Sequence, residues 1–533
     1  MPSNKAIKTS NTMRRFNITG TCIPNRHYMV DITDRLDEIE NQVSMGEYLT
    51  INRGRQFGKT TTLFHLAKRL SEKYVVFSIS FEAFSGDHFR NNDTLAYSFV
   101  EALQTQIDFN VTNNADDCVK KSLSDILKAN EGKREITPKD FSKLIFDICS
   151  ESSKPIVVFI DEVDNASNYD SFINLLRFLR DKYLNRDSIP TFQSVILAGV
   201  YDIKNLKLKV RPDSDHQYNS PWNIAVAFKE RMSFSKEQIA QMLGDYENDH
   251  HTGMDINGIA SLIEDYTSGY PFLVSKICLT IDEEKLGWTT DGVIEAVKIL
   301  LVEKNTFFDD LNKKLDDFPE LESLLKDILY YGKHCPFNLD IKVIDIAQMF
   351  NYIANNNGYV KISNRIIETR LYNKFMAVDV RGKMFDAGEI EKSQFIENGS
   401  LKMDLILERF AFHFNQIYGK QTKEFKEEEA RRYFMLYVRP IINGTGNYYI
   451  EAQTRDRSRT DMVIDYLGKQ YIIEMKIWRG NSYNERGEQQ LAEYLDFYNI
   501  TKGYLLSFCF NKKKIPAAKT IKIGDREIVE VVV

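Results

Sequence analysis

Short apolar runs alternate with amphipathic stretches over residues 47–200. From Glu47 the chain reads EYLTIN, a short strand, then the tight polar loop RGRQFGKT, then TTLFHLAKRL with Leu63, Leu66, Ala67 and Leu70 at helical spacing. A second run, YVVFSIS, ends near Ser80. A polar, mainly helical region reaches Ser150 before PIVVFI leads into Asp161 and Glu162, and the next strand, SVILAGV, ends at Val200. Each run is nearly continuous in apolar residues, as strands buried on both faces require. The pattern predicts an α/β fold with a mostly parallel sheet and ligands beyond the carboxyl ends of its strands.

After about Lys236 the strand signal fades. KEQIAQMLGDYENDH, INGIASLIEDYTSGY and ESLLKDILYYG read as helices broken by Gly253, Gly258, Gly269 and Gly332. Toward the other end, LILERFAFHFNQIYG and EEEARRYFMLYVRPII read as helices, followed by the strand-like YYIEAQT, MVIDYLG, QYIIEMKIW and GYLLSFCF. The expected organisation is an α/β domain over 1–235, a helical lid or winged-helix-like domain over 236–395, and a second α/β domain over 396–533.

Composition narrows the class. A chain of 533 residues, 43% hydrophobic and 27% charged, suits a packed multidomain protein rather than a disordered one. The formal net charge of -6 advertises no global basic field, although a local basic groove is compatible with it. Six scattered cysteines stand at no zinc-ligand spacing, so a reducing compartment is the natural reading. The N-terminus lacks an apolar signal segment and no window suits a membrane span, which points to a cytoplasmic protein without a membrane partner.

The chemistry of GRQFGKT is that of a phosphate loop. Gly58 lets backbone amides approach an anion, Lys59 supplies charge at the β and γ phosphates, and Thr60 offers a hydroxyl to Mg²⁺ at a helix N-terminus. Arg53 stands where the usual spacing asks for a first glycine, with Gly54 displaced by one. In VVFIDEVD, Asp161 suits the Mg²⁺ shell and Glu162 the polarisation of water, whereas Asp164 reads as a helix-capping or supporting acid. Arg177, Arg180 and Arg231 are candidate catalytic cations, with Arg231 the candidate γ-phosphate sensor.

These segments, with FNITGTCIPNRHYMV, SVILAGVYDIKNLK, SPWNIA and TSGYPFLV, resemble the bacterial AAA-ATPase-like proteins of the STAND and archaeal-type ATPase group over roughly residues 14–280. Members often carry RxRQxGKT, which accommodates Arg53. Ser220, Pro221, Trp222, Asn223 and Ile224 match the family's SPFNI stretch, and Gly269, Tyr270 and Pro271 its G-x-P element. Tyr201 stands where relatives often have arginine. The resemblance implies a nucleotide-dependent switch. The expected ATP and Mg²⁺ contacts are Arg55, Gly58, Lys59, Thr60, Thr61 and Asp161, with Thr60 and Asp161 on the metal side and Glu162 catalytic.

RSRTDMVIDYLGKQYIIEMKIWRG carries a second candidate. Asp461 opens one strand, Glu474 and Lys476 lie on the next, and a turn through Gly468 and Lys469 brings them together. Strand periodicity puts Glu474 and Lys476 on one face, with the Met475 carbonyl between them. Asp461 and Glu474 suit Mg²⁺, which activates water against a phosphodiester while Lys476 stabilises developing charge. Charges embedded in a strand this apolar demand a metal or a close ion partner. Glu429 offers a further acid, and Gln490 and Tyr494 share one helix face.

In order, Glu429, Asp461, the Glu474 and Lys476 pair, and the QxxxY helix of Gln490 and Tyr494 resemble the PD-(D/E)XK nuclease superfamily over about 401–512. Arg459 fits the R-x-D form beside the aspartate, and Glu428 is an alternative to Glu429. The resemblance implies catalytic roles for Glu429, Asp461, Glu474, Lys476 and Gln490. The leading expectation is an ATPase controlling a Mg²⁺-dependent DNA nuclease, in a setting such as defence against foreign DNA, with a second copy or another protein as partner. The alternatives are a signalling or scaffold ATPase whose nuclease-like domain binds nucleic acid without cleavage, and a translocase-like motor.

Overall fold

A computed structural model of the chain describes residues 14–109, 111–112, 114–200, 222–228, 232–331, 333, 335–379, 383–418, 427–442, 446–453, 459–477, 481–497, 500–509 and 518–533; within these, 330–331, 376–379, 383, 427–430, 447–453, 459–461, 481–486 and 497 are described by backbone alone. The chain divides into two compact units. One holds the described residues up to Glu264 together with Ser268–Leu279 and Met349–Asn351; the other holds Asp265–Thr267, Thr280–Gln348 and Tyr352–Val533.

The first unit runs α1 (Thr33–Ser44), β1 (Leu49–Asn52), α2 (Lys59–Leu70), β2 (Val75–Ser80), α3 (Asn92–Asp108), α4 (Asp117–Asn130), α5 (Pro138–Glu151), β3 (Ile156–Asp161), α6 (Asp170–Leu184), β4 (Ser194–Gly199) and β5 (Val226–Ala227), followed by α7 (Lys236–His250) and all but the last residues of α8 (Ile256–Thr267) and α9 (Pro271–Glu283). These five strands form a parallel sheet in the order β2-β3-β4-β1-β5, separate from a short parallel pair, Arg15–Phe16 with His27–Tyr28. Every residue of β3 and β4 is buried, the consequence of helices packed against both faces. Phe77, Val158, Ile160, Val195 and Leu197 share a core with Phe99, Phe141 and Phe172 of the helices. Because the strands are parallel, β1 and β3 end on the same edge of the sheet, with β4 between them.

The second unit contains α10 (Thr290–Val302), α11 (Thr306–Asp317), α12 (Pro319–Tyr331), α13 (Lys342–Met349), the hairpin β6 (Ile353–Asn356) and β7 (Tyr359–Ile362), α14 (Arg365–Asp379) and α15 (Lys383–Glu391). The hairpin stands among the helices expected for this stretch of a helical lid or winged-helix-like domain. Its turn residues Asn357 and Gly358 both take positive φ, 51° and 89°, which matches the twist of a two-residue hairpin. Then come α16 (Met403–Tyr418), α17 (Glu427–Ile442), β8 (Gly446–Gln453), β9 (Arg459–Tyr466), β10 (Lys469–Ile477), α18 (Asn481–Phe497), β11 (Lys502–Phe508), β12 (Ala518–Ile523) and β13 (Arg526–Val532).

The C-terminal strands form a mixed sheet, β8-β9-β10-β11-β13-β12. β8, β9 and β10 pair antiparallel, β10, β11 and β13 parallel, and β12 closes the far edge antiparallel to β13. Leu491, Ala492, Tyr494 and Leu495 of α18 pack on Val463, Ile472, Leu505 and Ile528 of the sheet. Gly503 permits this approach, because a Cβ there would stand 2.8 Å from Leu495 Cδ1.

Candidate functional sites

The phosphate loop joins β1 to α2. Gly58 caps the helix in the left-handed region at φ 84°, which an L side chain rarely adopts, and this conformation turns the chain from loop into helix. Lys59, only 5% exposed, sends its ammonium back into the loop, donating to the carbonyls of Arg53 at 3.0 Å and Gly54 at 3.1 Å. Burial pushes its pKa below the ordinary lysine value, against the pull of Glu162, Asp164 and Asp161.

Thr60 and Asp161 meet across 101 residues of chain: the hydroxyl donates to Asp161 Oδ2 at 2.8 Å. A hydroxyl and a carboxylate at that separation are a fitting donor set for Mg²⁺, a hard cation that prefers oxygen ligands. Glu162 follows in the left-handed region at φ 53°, a strain that non-glycine residues keep where surrounding structure imposes it. Burial raises its pKa, with Lys59 opposing and Asp161 and Asp164 adding to the rise. Asp164 accepts from the Val200 amide at 2.5 Å, tying the end of β3 to the end of β4. A Cβ on Gly199 would meet both Asp164 carboxylate oxygens at 3.1 Å, so that tie needs glycine.

The remaining first-unit candidates divide. Arg55 is exposed, and its field acts on both Lys59 and Glu162. The Thr61 hydroxyl accepts from the Cys22 amide at 3.1 Å, anchoring the N-terminal segment to α2. Arg177 donates to Asn174 on an exposed helix face. Trp222 is fully buried against Tyr48, next to β5. Arg231, Tyr201, Ser220 and Pro221 lie outside the described residues.

In the second unit, Glu474 is 1% exposed and its Oε1 lies 2.7 Å from Lys476 Nζ. The β9 and β10 hairpin turns at Leu467 and Gly468, both at positive φ, so Lys469 is already a strand residue paired with Tyr466. Met462 pairs with Ile473, which places Asp461 and Glu474 one step further along their strands at the same end. The side chains of Asp461, Arg459, Glu428 and Glu429 lie outside the described ones. Gln490 donates to the Tyr494 hydroxyl at 2.5 Å, with Tyr494 buried. Among the described residues, no three histidine, cysteine, aspartate or glutamate side chains converge as a metal-holding group, and no helix is long and apolar enough to cross a membrane.

The family described as an AAA-like domain matches residues 27–375. The chain belongs to this family. The match takes in the AAA-like phosphate loop, both acids at the end of β3 and the helices that follow, and it stops short of the C-terminal sheet. No curated protein matches the chain. Among solved structures, the Walker-type ATPase paby2304 of Pyrococcus abyssi is 16% identical, with 67% of this chain and 99% of that one covered at a TM-score of 0.46. The ORC2 protein of Aeropyrum pernix is 10% identical over 64% and 93%, TM-score 0.36. The RuvB Holliday junction branch migration motor of Thermotoga maritima is 12% identical over 65% and 95%, TM-score 0.32.

Two features of the AAA-like module escape sequence reasoning. The Tyr270 hydroxyl donates to the Arg55 carbonyl at 2.6 Å, and its ring meets Phe57 edge-on at 4.5 Å, so the G-x-P element grips the phosphate loop. Gly269 makes this possible: at φ 72°, a Cβ there would fall 1.9 Å from the Phe234 carbonyl oxygen. Buried Arg35 donates to Thr62 Oγ1 at 3.3 Å and to the Met232 carbonyl at 3.1 Å, and burial next to Arg53 lowers its pKa to about 10. The one local sign was the cluster TSGYPF. No local pattern marks Arg35.

Proposed function

We propose that this AAA-like protein binds and hydrolyses ATP and uses it to control a Mg²⁺-dependent DNA nuclease domain. In the first unit, Lys59 binds the phosphates, Thr60 and Asp161 hold Mg²⁺, and Glu162 polarises the attacking water. Bound Mg²⁺ supplies charge neutralisation on the phosphates. We read 1–235 as the nucleotide domain, 236–395 as the element that responds to it, and 396–533 as the nuclease domain of PD-(D/E)XK type.

One observation carries the nuclease reading: a glutamate that is 1% exposed, ion-paired at 2.7 Å to the lysine two residues on and next in register to Asp461. Removing two charges from water inside an apolar strand is costly, and an anionic substrate with a cation would use both. The competing reading is a scaffold ATPase whose C-terminal domain binds nucleic acid without cutting it.

Cleavage decides between them. The full chain with Mg²⁺ or Mn²⁺ is expected to cut DNA, and chelation to stop it. D461A and E474A are expected to lower the rate at least about 100-fold, and K476A similarly, while DNA binding by K476A weakens less than about 10-fold because one phosphate-facing charge is lost. A wild-type chain that binds DNA yet never cuts it with any metal or nucleotide selects the scaffold reading. Activity that survives D461A and E474A removes this site from the proposal.

A further inference from the structure

The face of the C-terminal sheet that carries Glu474 holds a second buried acid. Glu474 pairs with Leu505, Leu505 with Glu530, and Glu530 with Lys519, so one row crosses β10, β11, β13 and β12 in register, and paired residues share a face. The position of Asp461 on β9 extends the row by one strand. Glu530 is fully buried; its Oε1 accepts from Ser507 Oγ at 2.6 Å and its Oε2 lies 2.7 Å from Lys519 Nζ. The Lys519 ammonium also reaches Glu488 Oε1 of α18 at 3.5 Å.

Both Glu530 oxygens are thus already engaged, Oε1 by Ser507 and Oε2 by Lys519, while Glu474 has its own partner in Lys476. A fully buried carboxylate with a lysine partner is seldom the most stable filling of such a position, since an apolar pair of similar volume does as well or better. What the pair does instead is reach the helix. Glu488 is flanked by Gly487, where a Cβ would stand 3.4 Å from Lys476 Cγ, and Gln490 follows two residues later.

We infer that Glu530 and Lys519 are positioning residues of the C-terminal site. They clamp the middle of α18, at Glu488, to the far edge of the sheet and thereby set how that helix, with Gln490, lies on the Glu474 and Lys476 pair. The consequence for catalysis rests on the nuclease reading above; the clamp itself does not.

The test uses the full chain with K519M, E530Q and the charge-free pair K519M/E530L, which keeps apolar volume if E530Q fails to fold. Amide exchange across residues 487–497 is expected to quicken by about 10-fold in each variant while the remaining sheet stays protected. If the wild type cleaves DNA, kcat is expected to fall about 10-fold with KM unchanged, and K519M to add nothing in a Q490A background, because both act through one helix. Wild-type exchange across 487–497 in K519M and in the double variant overturns the clamp, as does additive loss with Q490A. A wild type that never cleaves, with faster exchange in the variants, leaves the clamp standing and sinks only the nuclease reading.

Discussion

Lys59 and Glu162 face each other as a buried cation and a half-buried acid, each pushed by burial toward its neutral form and pulled back by the other. Removing the ammonium leaves the Arg53 and Gly54 carbonyls without their donor and the phosphates uncompensated. K59A is therefore expected to weaken ATP binding by about 100-fold, read by titration of a fluorescent nucleotide. Glu162→Gln keeps the shape but not the base. It should retain nucleotide and lose at least about 100-fold in turnover. Because the Glu162 pKa is raised, the wild-type hydrolysis rate should climb with pH through a midpoint above the ordinary glutamate value. Stability runs the other way: the protonated form is favoured in the folded state, so its contribution is lost as pH rises from the ordinary value through the raised one. Melting temperatures of wild type and E162Q should diverge across that window, with E162Q the higher above it; parallel curves would remove the buried-acid assignment.

At the scale of elements, the apolar runs at 49–52, 75–80, 156–161 and 194–199 are legible because a strand buried on both faces cannot avoid being apolar throughout. The 353–362 hairpin hides in a helical neighbourhood, since its strands are only four residues each and just the Asn-Gly turn signals it. β12 escapes notice because polar residues alternate along an edge strand, and inner β13 because Arg526, Glu527 and Glu530 interrupt its apolar run. The element that grips the phosphate loop invites the sharpest test. G269A should destabilise the protein by about 2–4 kcal/mol in urea unfolding, through backbone strain and collision with Phe234. Y270F loses one hydrogen bond to the loop and should cost about 1 kcal/mol of stability while weakening nucleotide binding. If Y270F binds ATP like wild type, the grip has no part in the nucleotide response.

For the whole molecule, an ATP-controlled nuclease requires that nucleotide bind two states differently. Cleavage rates of the full chain with no nucleotide, with ADP and with a non-hydrolysable ATP analogue should then differ by about 5-fold or more. Equal rates in all three would separate the two activities and leave the ATPase as a module of its own.

What the sequence determined by itself is what a few consecutive residues can enforce. Gly58 and Lys59 make a turn into a helix, Asp161 and Glu162 end a buried strand, and Glu474 and Lys476 share a face because strands repeat every two residues. Partner choice was decided by the tertiary structure. Adjacent threonines part ways, Thr60 to Asp161 and Thr61 to Cys22. Tyr270 finds a carbonyl 215 residues away, and Glu530 joins the row of Glu474 only because β11 lies between β10 and β13. Local patterning constrains φ, ψ and the face a side chain occupies; which group stands opposite depends on strand order and helix packing, to which residues throughout the chain contribute at once.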